Sequence, residues 1–75
     1  MNEGMLWLDD DKRLSLEEKV QRAADYYRDK YGRVPNFCLV NTAMLLEEEA
    51  QVGVIQVRPA RNILPNYFWL GMKSS

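Results

Sequence analysis

The stretch SLEEKVQRAADYYRDKYGRVPNFCLV, running from Ser15 to Val40, reads as a complete helix followed by an apolar strand. Ser15 stands at the N-cap and Glu18, three residues later, completes a capping box in which each side chain satisfies the other residue's backbone N–H. Leu16, Val20, Ala23, Ala24, Tyr27 and Tyr31 recur at helical spacing, so one face of the helix is apolar. Gly32 can adopt the left-handed conformation that ends a helix, and Pro35 prevents its resumption. Phe37-Cys38-Leu39-Val40 shows no polar alternation, which is the pattern of a strand covered on both faces.

Working outward, Met5-Leu6-Trp7-Leu8 is a short first strand, and Asp9 to Leu14 is a polar connection to the helix. Beyond Val40, Asn41 or Thr42 can cap a second, shorter helix through residues 43–50. A loop is the competing reading, because Glu47, Glu48 and Glu49 would oppose the dipole at its carboxyl end. Val52 to Val57 is rich in β-branched residues and reads as a third strand, with Gly53 marking its start or a bulge. Pro59 stops that ladder, Arg58 to Asn66 forms a connection, and Tyr67-Phe68-Trp69-Leu70 is a fourth strand ending near Gly71. The last two strands most simply form an antiparallel hairpin. The expectation is an α+β fold: a small two-layer β-α-β-(α)-β-β domain, with a mixed four-stranded sheet and one main helix packed on it. Residues 1–75 make a single domain, with 1–4 and 73–75 frayed.

A chain of 75 residues buries only about 60% of the surface it would expose unfolded, so it needs an additional source of stability. A disulfide is excluded within one chain, because Cys38 is the only cysteine. A structural zinc lacks its usual ligands, because there is no histidine and only that one thiol. Association with a protein partner, or with further copies of the chain, is the remaining support. Ten basic residues against eleven acidic give a net charge of −1, which does not point to nucleic acid as a partner. The longest charge-free window, Val34 to Leu46, is too short to span a membrane and is interrupted by Pro35 and Asn41. A lone cysteine within an apolar strand fits a reducing compartment, so the expected location is cytoplasmic.

Among candidate sites the most informative is Arg58-Pro59-Ala60-Arg61-Asn62 with Tyr67-Phe68-Trp69 close behind. Guanidinium groups beside aromatic rings are the ingredients of protein hot spots, and also of phosphate, nucleotide or nucleic-acid recognition through Arg58 and Arg61. Strand alternation places Tyr67 and Trp69 on one side of the sheet and Phe68 and Leu70 on the other. A helix must cover one of those sides, and nothing in the chain need cover the other. Arg58, Arg61, Asn62, Tyr67 and Trp69 are therefore the expected contact residues. The structural alternative pairs Arg58 and Arg61 with the turn at Asp9 to Asp11.

Asp9-Asp10-Asp11, directly after an apolar strand, could hold Mg²⁺ for phosphoryl transfer, and over these few residues it resembles the strand-end acids of receiver and haloacid-dehalogenase-type domains. A solvated acidic turn explains the same residues. Tyr26, Tyr27 and Tyr31 read as packing on the helix, and Cys38 as core rather than nucleophile, since no imidazole is present to activate it. Without histidine no serine or cysteine triad can be assembled, and the scattered glycines make no phosphate loop. The chain is thus expected to be non-catalytic, without cofactor or metal, and to work as a small binding or assembly module.

Overall fold

The computed structural model describes residues 4–73. Five strands and one helix follow the order β1 (Gly4–Leu8), α1 (Leu16–Tyr31), β2 (Phe37–Asn41), β3 (Ala50–Val52), β4 (Ile55–Ala60) and β5 (Tyr67–Gly71). The α+β class holds, with five strands rather than four. Among the described residues no helix is long and apolar enough to cross a membrane.

Local chemistry builds α1 as its sequence demands. The Ser15 hydroxyl accepts from the Glu18 N–H, and the Ser15 N–H donates to Glu18 Oε1, both at 3.1 Å. Gly32 takes φ 75° and donates its N–H to the Arg28 carbonyl at 2.7 Å. The helix buries Val20, Ala23, Ala24 and Tyr27. Tyr31 lies at the edge of that face, with its ring 4.6 Å from that of Tyr27.

The sheet runs β1-β5-β2-β4-β3. β5 is antiparallel to both β1 and β2, so those two run parallel but are kept apart by the last strand of the chain. The result is a split βαβ unit. β2 and β4 are parallel neighbours, and β3 closes the far edge antiparallel to β4. Met5, Leu70, Cys38, Val57 and Ala50 form one row across the sheet, and Trp7, Phe68, Val40 and Pro59 form the next. Both rows face α1, and Cys38, Val40, Val57, Phe68 and Leu70 are wholly buried.

Four expectations are corrected. The second helix over 43–50 does not form, because Asn41 commits the chain to a turn. Its carbonyl accepts from the Met44 N–H and its Oδ1 from the Ala43 N–H, both at 2.9 Å. Leu45 then enters the core while Leu46 stays exposed. The strand expected over Val52 to Val57 is a hairpin. Gly53, at φ 58°, supplies the positive dihedral of a two-residue turn, and Val52 faces Ile55. Pro59 lies inside β4 instead of ending it. The Gln56 N–H points toward β2, so the alternate position, Pro59, has its nitrogen on the β3 side, beyond the point where β3 stops.

The fourth correction concerns pairing: β4 and β5 are not a hairpin, because β2 lies between them. That insertion puts Phe68 and Leu70 in the middle of the sheet under the helix, where a strand bordering only β4 could not place them. Of the termini expected to fray, Gly4 and Lys73 are among the described residues. Gly4 is paired in β1, and Lys73 is tied to Asn36, whose Oδ1 accepts its N–H at 2.7 Å. The remaining residues of those termini, 1–3 and 74–75, lie outside the described residues.

A candidate contact surface

Phe37-Cys38-Leu39-Val40 reads as a strand covered twice, and the fold covers it once. Cys38 and Val40 are wholly buried, whereas Phe37 and Leu39 point to the side opposite α1 and stay half-buried. The same side collects Leu6 and Leu8 from β1 and Tyr67 and Trp69 from β5. One row across this open face is Leu6, Trp69, Leu39 and Arg58; the next is Gly4, Gly71, Phe37, Gln56 and Gln51. The surface is apolar over β1, β5 and β2, and polar over β4 and β3. The apolar area therefore reaches the β1 edge and is bordered by polar residues on the β4 side.

Trp69 is fixed in place. Its indole lies over Gly4, where a Cβ would overlap the six-membered ring. Its other side meets Phe37 edge-on, with centroids 6.4 Å apart and planes at 74°. Lys73 Nζ stands 5.1 Å from the centre of the Phe37 ring. On the polar side, Gln56 Nε2 donates to Glu49 Oε1 at 3.1 Å and Gln51 Nε2 to the Gly53 carbonyl at 3.0 Å. Arg58 is exposed, and no hydrogen bond or ion pair among the described residues engages its side chain.

The expected contact residues divide into two groups. Arg58, Tyr67 and Trp69 share the open face, with Arg58 two strands from Trp69, a separation of roughly 10 Å. Arg61 and Asn62 do not join them; they lie exposed in the connection that follows β4. That connection is anchored from beneath. Ile63 is buried, its carbonyl accepts from Asn41 Nδ2 at 2.8 Å, and the Asn66 N–H meets Met44 Sδ at 3.2 Å. Leu6, Leu8, Phe37 and Leu39 belong to the surface although sequence reasoning did not name them. The signal was present, because two short strands apolar at every position need cover on both sides.

The acidic turn is occupied with itself. Asp9 Oδ1 accepts from the Asp11 N–H at 3.1 Å. Arg13 grips Asp11 through Nε at 3.1 Å and Nη2 at 3.2 Å, and its backbone N–H adds a third bond at 3.0 Å. These bonds hold the Asp11 carboxyl below the usual carboxylate range and push the Arg13 guanidinium up. Neither Arg58 nor Arg61 pairs with this turn. Among the described residues no group of three or more histidine, cysteine, aspartate or glutamate side chains is placed to hold a metal ion. Burial pushes the Cys38 thiol up to about 12, far from the thiolate a nucleophile requires. Comparison with protein families, curated proteins and solved structures finds no match to this chain.

Proposed function

We propose that this chain is a non-catalytic contact module that binds a protein surface through the open face of its sheet. The observation that carries the reading is the uncovered apolar patch of Leu6, Leu8, Phe37, Leu39, Tyr67 and Trp69, bordered by Arg58. Packed Trp and Tyr rings, with an arginine at the rim that no described residue pairs, are the residue types that dominate binding energy at protein contacts. Because Gly4 and Phe37 already hold Trp69, little side-chain freedom is lost on binding. Cys38, single and buried, needs no oxidising compartment, which supports a cytoplasmic setting.

The test is capture of partners by the full chain from its own cells, followed by affinity measurement with the partner recovered. Trp69→Ala should weaken that affinity by about 2 kcal/mol or more while leaving the circular dichroism spectrum intact. Affinity indifferent to Trp69 and Arg58, or turnover of a substrate by the purified chain, overturns the reading.

A further inference from the structure

The two edges of the sheet differ in what their backbones offer. Along an antiparallel ladder, alternate residue pairs exchange hydrogen bonds, and the pairs between them turn their N–H and C=O groups outward. The Asp9 N–H donates to the Asn66 carbonyl at 2.9 Å, and Asp9 stands opposite Asn66 in the β1–β5 register. That bond sets the phase: Trp7 and Met5 bond to β5, while Gly4, Leu6 and Leu8 turn their backbone groups away from the sheet. At the other edge, the two-residue turn at Gly53 makes Val52 and Ile55 a bonded pair, and Ala50 with Val57 the next. Only Gln51 of β3 is left facing outward. β3 is short and approached by Glu47, Glu48 and Glu49, whereas β1 carries no charge, no proline and no bulge along its free edge. Natural sheets guard their edges with such devices, and β1 lacks them.

We infer that β1 is the docking edge for a second copy of this chain, paired antiparallel about a two-fold axis at Leu6 to give one continuous ten-stranded sheet. This goes beyond the proposed contact reading, because it rests on backbone groups at the edge and not on the side chains of the open face. The register is self-complementary. Leu6 meets Leu6 of the second copy, and Gly4 meets Leu8 in both directions, so every outward-facing residue of β1 finds an outward-facing partner. A shift of two residues either way leaves one of them unmatched. Such a pairing is isologous and closes at two chains. No charges meet within the paired strands, because β1 has none. Gly4, lacking a side chain, lets the Trp69 ring lie over the edge strand, where Leu8 of the second copy would meet it, and Leu8 is 53% exposed in the single chain. The apolar strip of Leu6 and Leu8 then lies in the middle of the assembled sheet rather than at its margin.

Sedimentation equilibrium over increasing concentration tests this, with Leu6→Pro as the decisive variant. Leu6 does not bond to β5, so proline there spares the ladder within the chain while removing the donor aimed at the second copy, together with the Leu6 side chain, and edge strands tolerate proline. The apparent mass of the unaltered chain should rise from 8.8 kDa toward twice that value, while Leu6→Pro stays at 8.8 kDa. Amide hydrogen exchange at Leu6 and Leu8 in the unaltered chain should slow as concentration rises, a reading that holds even if the proline variant fails to fold. A mass fixed at 8.8 kDa with concentration-independent exchange overturns the inference. So does association that survives Leu6→Pro. Association lost in Trp69→Ala but kept in Leu6→Pro would refute the edge and leave the open-face reading standing.

Discussion

Phe68 and Trp69 are consecutive residues of one strand, and their surroundings are opposite. Phe68 is wholly buried between Trp7 and Val40 in its cross-strand row, beneath α1. Trp69 lies on the side where the described residues form no second layer, held by Gly4 beneath it and Phe37 at its edge. Both faces of the strand carry a large aromatic residue, and the described residues provide cover for one. Apolar character on a strand thus measures how much cover it requires, not how much its own chain supplies. Truncation sharpens the comparison most. Phe68→Ala should cost about 3–5 kcal/mol in urea unfolding, through lost transfer energy and the cavity left behind. Trp69→Ala should cost less, because water already reaches that ring. Equal losses would mean that the two faces are not distinct environments.

A smaller effect tests whether Trp69 is held by backbone shape. Glycine within a strand is ordinarily a weakness that alanine relieves, so Gly4→Ala should stabilise if nothing opposed it. Here the added methyl would overlap the Trp69 ring. The ring must swing away, at a cost of about 1–3 kcal/mol typical of overpacking. In a Trp69→Ala background the same substitution should be mildly stabilising, so the double-mutant cycle should show strong coupling. Additive losses would mean that Gly4 serves some purpose other than seating the indole.

What the sequence made legible follows the range of the interactions involved. The helix from Leu16 to Tyr31 is set by contacts within a few residues, Ser15 with Glu18 and Gly32 with Arg28, and it could be read to its caps. β1, β2 and β5 were legible as apolar runs. The order of the strands was not, since the insertion of β5 between β1 and β2 is decided by burying Phe68 and Leu70 together with Met5, Cys38 and Val40. Residues 43–50 have helix-forming composition, yet the Asn41 side chain bonds to both Ala43 and Ile63, the latter far along the chain. The hairpin at Gly53 reads in sequence as one strand because its β-branched residues continue across the turn. Of the contact residues, Tyr67 and Trp69 followed from alternation alone. Arg61 and Asn62 neighbour Arg58 in sequence, whereas β4 ends at Ala60 and the chain carries them off the sheet.

The smallest effect concerns Cys38, on the covered face and in the same row as Leu70 and Val57. Burial raises its thiol from the free value of 9.0 to about 12. A raised acid favours the protonated form when folded, so its contribution to stability is complete below the unfolded value. As pH climbs past 9.0 the unfolded chain loses the proton first, and that contribution falls away toward about 12. The urea midpoint should therefore decline across this alkaline window, with a shallower decline in Cys38→Ala, even though the cavity makes that variant less stable at neutral pH. A thiol reagent should reach Cys38 only at the rate of unfolding. Rapid modification in the native state, or identical alkaline slopes in the two proteins, would show that the helix does not seal this face, and the contrast between the two sides of the sheet would lose its physical basis.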